Sequence, residues 1–110
     1  MNLLFRGANI ITHCETRLCD LLVQGERISA IGRNLPVDGA EVVDCRGLNL
    51  LPGGVEPHAH LALAMFGTVS SDDHYTGHRA AAFGGTTTVL DFTSQSRGDS
   101  IQGSIEAWYA

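Results

Sequence analysis

Apolar residues in the first half of the chain come in short runs that turn-forming residues interrupt. Six such runs lie between Asn2 and about Leu51, and they read "LLF", "NIIT", "CDLLVQ", "ISAIG", "EVVDC" and "LNLL". Runs of this length and spacing predict a meander of short β-strands. The turn "QGER", which joins two alternating runs, predicts the clearest hairpin.

Beyond Pro52 the pattern changes to one in which strands and helices alternate. The predicted elements are a strand at "GGVEPHAH", a loop at "LALAMFGTV", a helix at "SSDDHYTGHRAAAFGG", a buried strand rich in β-branched residues at "TTTVLDF", and a last helix after the turn "SQSRGD". This order of strand, loop and helix, repeated twice, is typical of a parallel α/β architecture.

Both helices carry further sequence signals. For the first helix we expect Ser71 as N-cap, Asp72 and Asp73 in the first turn, and Gly84 at the end. In the last helix the apolar residues that share one face are Ile101, Ile105 and Trp108. We expect Trp108 and Tyr109 to serve as core and rim packing against the sheet.

The pattern therefore predicts two regions, residues 1–51 built of strands and residues 52–110 built of β/α units. The sequence stops at Ala110, directly after an apolar helical face, without a glycine, asparagine or basic residue that would end the helix. A parallel sheet of two strands would leave its faces and edges open. We therefore expect this chain to be the beginning of a longer one.

Composition narrows the functional class. The 110 residues suffice for one modest domain, and 44% hydrophobic residues are typical of a globular protein. A net charge of -5 and a pI near 5.3 provide no basic patch for nucleic acid. Residues 53–110 hold six acidic residues against two arginines, and acids close to histidines favour cations.

The amino-terminal segment, the length of the apolar runs and the cysteines indicate the cellular compartment of the protein. No charged region precedes an apolar core at the amino terminus, and no apolar run approaches the roughly 20 residues that a membrane span needs. The cysteines Cys14, Cys19 and Cys45 show no C-x-x-C spacing, and the pair His13 and Cys14 lacks the spacing of a zinc finger. We expect scattered, partly buried reduced thiols in a soluble, cytoplasmic protein without membrane contact.

His58 and His60 are the strongest candidates for chemistry. Side chains at positions i and i+2 of a strand point to the same face, so both imidazoles can approach one ion. The pair is followed at once by a loop, and the carboxyl ends of strands carry the active sites of β/α barrels. An H-x-H pair alone is weak evidence, however, because an ordinary exposed strand with two histidines also produces it.

The flanking residues strengthen the metal interpretation. "PGGVEPHAH" resembles the signature of the amidohydrolase superfamily, in which two histidines of the first barrel strand bind the more buried metal. The segment "GTVSSDDHYTGHRAAAFGGTTTVLDF" resembles the dihydropyrimidinase and hydantoinase branch. The first fifty residues resemble the opening strands of the same family, which form part of a small β-sandwich. The resemblance implies an α/β chain with the first two β/α units of an incomplete TIM-like barrel.

The resemblance also implies an activity. Such enzymes hold two zinc ions that are bridged by a carboxylated lysine and a hydroxide, and the hydroxide attacks the carbonyl carbon of a small cyclic amide or imide. Two further histidines and a late aspartate complete the site. His58 and His60 match the first metal ligands. The chain contains no lysine, and we expect the catalytic groups to lie beyond Ala110. We therefore predict that the chain alone is inactive and that the full-length enzyme is a homotetramer.

Two positions depart from related patterns. Glu56 stands where the family usually has an aspartate two residues before the first histidine, and its longer side chain could shift a hydrogen bond near the ligands. Ala62 stands where dihydroorotases carry an arginine two residues after the second histidine. We therefore do not expect the substrate to be bound through a carboxylate group at this position.

Other polar residues receive structural interpretations. We expect Asp91, at the end of the second barrel strand, to cap a loop or accept backbone N–H groups, although it could also face the site. His74 and His78 lie one helical turn apart, but no H-E-x-x-H motif contains them, and we interpret them as surface residues. The glycines of "GGTTT" precede a strand and no lysine follows, which argues against a phosphate loop.

Two alternatives to a cyclic amidase remain open. The first is a non-catalytic assembly or signalling relative, since the family includes members that have lost their metal ligands; the presence of both His58 and His60 favours the enzyme. The second is a free-standing, β-rich binding module. That interpretation requires the 110 residues to unfold cooperatively on their own.

Overall fold

The computed structural model describes residues 1–109 as a mixed α/β structure made mostly of strands. It divides into two compact units between Pro52 and Gly53. The elements in chain order are β1 (Asn2–Ile11), β2 (Thr16–Gln24), β3 (Arg27–Gly32), β4 (Glu41–Asp44), β5 (Asn49–Leu50), β6 (Gly54–Ala59), β7 (Ala64–Met65), β8 (Thr68–Val69), α1 (His74–Phe83), β9 (Thr86–Asp91) and α2 (Ile101–Tyr109).

The first unit is a mixed five-stranded sheet with the order β3-β2-β1-β4, and β5 also pairs with β1. The pairs β1–β2 and β2–β3 are antiparallel, as predicted for the "QGER" hairpin. However, β4 and β5 both lie parallel to β1, so the connectivity is not a simple meander. To lie parallel to β1, the chain must cross over before β4 and again before β5. The pattern of apolar runs does not predict these crossovers.

The first two apolar runs form one strand, β1, and the prediction of a turn between them was wrong. Gly7 instead occupies a left-handed conformation at φ +70°, within a register shift between Phe5 and Ala8. This is a β-bulge, which keeps the strand continuous but bends it. A Cβ at Gly7 would lie 2.8 Å from Cγ of Arg46, so space as well as φ favours glycine here.

Two small apolar clusters form the core of the first unit. One contains Ala8, Ile10, Cys19, Leu21 and Cys45, and the other contains Leu4, Leu22 and Ala40. Cys19 and Cys45 are buried free thiols, whereas Cys14 is exposed, which confirms the prediction of scattered and partly buried cysteines.

A buried carboxylate, that of Asp20, connects the bulge to the loop after β3. Its Oδ1 accepts the Gly7 N–H at 2.9 Å, and its Oδ2 accepts the Leu35 N–H at 3.1 Å. The Arg6 guanidinium donates to the Leu35 carbonyl at 2.8 Å and lies 3.9 Å from the same carboxylate. Since the side chain of Asp20 is only 8% exposed, water is a poor substitute for these partners.

The second unit contains a parallel pair, β6 and β9, with α1 between them in sequence and packed against β9. The strand β9 is only partly covered, so the prediction of a buried strand was wrong: Leu90 is 52% exposed, because α1 covers only part of the two-stranded sheet. The predicted loop "LALAMFGTV" contains a short hairpin, β7–β8. Its two turn residues, Phe66 and Gly67, have φ of 52° and 77°, which suits a tight hairpin turn.

Helix α1 begins two residues later than predicted. Asp73, not Ser71, is the N-cap, because its carboxylate accepts the Thr76 N–H at 2.7 Å while the Asp73 N–H donates to the Thr76 hydroxyl at 3.1 Å. This reciprocal capping box satisfies two end groups at once. Gly84 ends the helix, as predicted. Within residues 1–109 no helix is long and apolar enough to cross a membrane.

We expect Asp20→Ala to destabilise the first unit, because two enclosed N–H groups would lose their acceptor at about 1–3 kcal/mol each. Asp20→Asn keeps one acceptor oxygen and should lose less. Urea denaturation followed by far-UV circular dichroism measures both. The matched control Glu26→Ala removes an exposed carboxylate from the β2–β3 turn and should stay within about 0.5 kcal/mol of wild type. Equal stability of Asp20→Ala and Glu26→Ala would contradict the assignment.

The N-terminus of α1 should fray in acid. Hydrogen bonds from the backbone N–H and then the hydroxyl of Thr76 lower the pKa of Asp73 below its ordinary value of 3.8. A lowered folded pKa means that the stabilisation is complete above 3.8 and disappears as the pH falls through the folded value. Carbon-13 NMR titration of the Asp73 carboxyl and of the α1 backbone would show this. Asp73→Asn should abolish the dependence, whereas Asp72→Asn should preserve it.

Candidate metal site

The pairing of β6 with β9 is interrupted just before the histidines. Glu56 lies opposite Val89 and Ala59 lies opposite Asp91, so two residues of β6 face a single residue of β9. These two residues are Pro57 and His58, which lie opposite Leu90, so β6 carries one extra residue here. Pro57 has no N–H to donate, and irregularities of this kind often redirect side chains next to functional sites.

Glu56 satisfies the backbone group that the irregularity frees. Its Oε1 accepts the His58 N–H at 2.9 Å. Glu56 thus acts on the backbone of the first histidine, and a shorter aspartate at this position would have to reach the same N–H from a different rotamer. The contact fixes the local conformation of β6 at the point where the histidine side chains leave it.

The structure brings the predicted pair together. The strand β6 ends at Ala59, and the rings of His58 and His60 lie with their centroids 5.1 Å apart and their planes 15° from parallel. Both residues are exposed. Two adjacent imidazoles at a strand end are suitable nitrogen donors for zinc, which binds histidine at about 2.0–2.1 Å.

Phe92 supports both rings from one side. Its centroid lies 4.4 Å from that of His58 and 5.3 Å from that of His60. These separations are typical of aromatic packing. A single phenyl ring at the end of β9 therefore limits the orientations that both imidazoles can adopt.

Asp91 accepts backbone N–H groups, as predicted. Its Oδ1 accepts from Phe92 N at 2.8 Å and, more distantly, from Leu61 N at 3.4 Å. Its Oδ2 is buried without a hydrogen-bond partner within the described residues and lies 3.8 Å from Nδ1 of His74. Asp91 therefore joins the end of β9 to the residue that follows His60.

The other two histidines of the unit lie on α1. The rings of His74 and His78 are 5.7 Å apart, and His78 is exposed, as predicted. His74 is half-buried because Trp108 packs edge-on against its ring at 5.3 Å. The prediction that Trp108 and Tyr109 pack against the sheet was wrong: the ring of Trp108 contacts His74 of α1 and Tyr109, and the two side chains are 40% and 80% exposed.

The donor set for a metal is partial. Within residues 1–109 no group of three or more histidine, cysteine, aspartate or glutamate side chains is arranged to hold an ion. The chain offers two imidazoles, and a four-coordinate zinc ion needs further ligands. The pair offers two of the nitrogen donors that such an ion would need.

Comparison with known proteins places these features in a family. The chain is 44% identical over 109 residues to the D-hydantoinase of Geobacillus stearothermophilus, covering 99% of this chain and 23% of the relative. It is 35% identical over 111 residues to rat dihydropyrimidinase, covering 96% of this chain and 21% of the relative. A solved dihydropyrimidinase from Brevibacillus agri superposes with a TM-score of 0.93 at 44% identity, over 99% of this chain and 24% of that one.

The chain belongs to the dihydropyrimidinase and D-hydantoinase family. A solved D-hydantoinase gives a similar match, with a TM-score of 0.92 at 41% identity. No family model matches the chain. The chain spans about a quarter of the length of the relatives that it matches and corresponds to the N-terminal part of the hydantoinase structures.

Sequence reasoning missed Phe92 and the irregularity in β6. Pro57 was an available signal, because proline within a strand is confined to edges and bulges. Nothing in the spacing of residues indicates that Phe92 contacts both histidines, since that contact depends on the parallel register of β6 and β9.

We expect Glu56→Ala to speed hydrogen exchange of the His58 amide by about 2- to 12-fold, which corresponds to the net value of one hydrogen bond, about 0.5–1.5 kcal/mol. NMR exchange rates provide the measurement. Glu56→Gln retains an acceptor oxygen and is the matched control. An unchanged His58 rate in Glu56→Ala would show that the carboxylate does not hold this N–H.

Proposed function

We propose that this chain forms the front portion of a zinc-dependent cyclic amidase that hydrolyses the ring amide of dihydropyrimidines or hydantoins. The observation that carries the proposal is the pairing of the His58 and His60 rings at the carboxyl end of β6. The names of the relatives support the substrate class, since they are D-hydantoinases and dihydropyrimidinases.

The surrounding architecture supports the same proposal. β6 and β9 are parallel and adjacent, with α1 as the connection between them, which is how a β/α barrel begins. We propose that these elements are the first two β/α units of a TIM-like barrel. In the same proposal, the sheet of residues 1–52 forms part of a small β-sandwich.

In this proposal His58 and His60 hold the first of two zinc ions. Zinc, when bound, acts as a Lewis acid toward the ring carbonyl. Glu56 fixes the backbone at His58 through its N–H, and Phe92 limits the rotation of both imidazoles. Neutral imidazole is the form that binds the metal, so the two rings must be deprotonated where they act.

The remaining groups of the site come from outside these 110 residues in this proposal. The sequence contains no lysine, which the family uses in carboxylated form to bridge its two metals. We propose that a lysine, two further histidines and an aspartate are supplied by the rest of a longer polypeptide. We also propose that the complete enzyme is a cytoplasmic homotetramer, and that the chain alone is inactive.

Zinc affinity tests the ligand assignment. In the whole translated product of the reading frame, His58→Ala and His60→Ala should each weaken zinc binding at least about tenfold, because each removes a direct ligand. Competition with a chromophoric chelator measures the affinity. His13→Ala and His78→Ala remove histidines away from the pair and should bind zinc as wild type does. Equal affinity in all five proteins would refute the site.

Activity and the reading frame test the reaction. We expect the whole translated product to hydrolyse dihydrouracil or hydantoin and to lose this activity on chelation of its metal, with recovery when zinc is returned. The 110 residues alone should show none. A reading frame without a lysine, two histidines and an aspartate beyond residue 110, or a whole product that binds zinc without hydrolysing either ring, would instead favour a non-catalytic assembly protein.

A further inference from the structure

The contacts of Asp91 reach both histidines indirectly. The Leu61 N–H, which Asp91 accepts at 3.4 Å, belongs to the residue directly after His60. The Phe92 N–H, which it accepts at 2.8 Å, belongs to the residue whose ring contacts both imidazoles. One carboxylate oxygen thus ties together the backbone behind one ligand and the aromatic ring beside both.

The side chain of Asp91 is largely shielded from water. Its side chain is only 10% exposed, so few water molecules can replace a lost acceptor. The second oxygen lies 3.8 Å from Nδ1 of His74 on α1. The carboxylate is therefore enclosed between the helix on one side and the backbone of the histidine segment on the other.

Leu61 receives a second constraint from α1. A Cβ at Gly77 would lie 3.3 Å from Cγ of Leu61 and closer still to its methyl carbons. The helix therefore passes close to the residue that follows His60, and glycine leaves the room for it. The segment after the second histidine is held by a hydrogen bond at its N–H and by helix packing at its side chain.

We propose that Asp91 is a positioning residue for the histidine pair, acting through Phe92 and Leu61. The inference rests on the proposed function, in which His58 and His60 bind zinc. Asp91 accepts hydrogen bonds from the backbone, fixes the Phe92 ring beside both imidazoles, and sets the direction in which the chain leaves His60. Residues that orient metal ligands typically change metal affinity by about 10- to 100-fold when removed.

The test compares metal-free and metal-bound readouts in the whole translated product. In the metal-free protein, the Phe92 ring current shifts the imidazole proton signals of His58 and His60. Asp91→Ala should move both sets of signals toward their values in unfolded peptides and weaken zinc binding about 10- to 100-fold. Asp91→Asn retains an acceptor oxygen and should restore both readouts. Phe92→Leu should reproduce the loss of the proton shifts and weaken zinc binding.

Matched controls separate positioning from general destabilisation. Asp99→Ala removes a carboxylate that also accepts a backbone N–H, from Ser96 at 3.1 Å, at a place away from the histidines. Phe83→Leu replaces an aromatic side chain on α1 that is 85% exposed. Both variants should resemble wild type in the imidazole signals and in zinc affinity. Cobalt substitution adds a visible spectrum, whose bands should change in Asp91→Ala and not in the controls.

The outcomes distinguish this inference from the proposed function. If His58→Ala and His60→Ala weaken zinc binding while Asp91→Ala has wild-type imidazole signals and affinity, the positioning role is overturned and the metal site stands. If Asp91→Asn fails to restore either readout, hydrogen-bond acceptance is not the cause and the proposal is wrong. If zinc affinity is unchanged in both histidine variants, the proposed function fails, and the positioning inference fails with it.

Discussion

A strand that leaves its regular ladder frees backbone N–H groups, and this chain satisfies such groups with carboxylates. At the β1 bulge, Asp20 accepts the N–H of Gly7. At the irregularity of β6, Glu56 accepts the N–H of His58. At the end of β9, Asp91 accepts the N–H of Phe92. Each carboxylate gives an irregular backbone a hydrogen-bond partner, and this matters most for the partly buried N–H of Gly7, because an enclosed N–H without a partner is costly.

The same constraint joins the fold to the proposed chemistry. A regular β6 would pair residue for residue with β9, and the one extra residue would have no place opposite it. The irregular β6 instead delivers both imidazoles to the strand end beside Phe92. The apolar side chains of Val55 and Leu90 are 59% and 52% exposed, and in the proposed barrel neighbouring elements would cover them.

The sequence predicted most elements but few of the irregularities. Apolar periodicity identified the "QGER" hairpin, and glycine chemistry identified the end of α1 at Gly84. It failed at Gly7, because a glycine that forms a bulge has the same local signature as one that forms a turn. The sequence-based prediction also failed at the start of α1. Ser71 and Asp73 are both residue types that favour an N-cap, but Asp73 is the one that forms a reciprocal capping box with Thr76.

The same distinction applies to the candidate site, where the local geometry was predicted and the long-range contacts were not. The i, i+2 spacing was enough to place His58 and His60 together, since strand geometry is local. The contacts of Phe92 and Asp91 with that segment depend on which strand pairs with which and in what register. Those contacts join residues about thirty positions apart, as Leu61 and Asp91 are. A single sequence contains no direct record of such pairings.

The placement of the large aromatic chromophores has a practical consequence. Trp108, Tyr75 and Tyr109 all lie in the second unit, and residues 1–52 contain neither tryptophan nor tyrosine. Ultraviolet absorbance near 280 nm and intrinsic fluorescence therefore report on the second unit alone. The indole of Trp108 lies against the imidazole of His74, whose Nδ1 is 3.8 Å from the carboxylate of Asp91. The sole tryptophan is thus a built-in optical probe of the surroundings of Asp91.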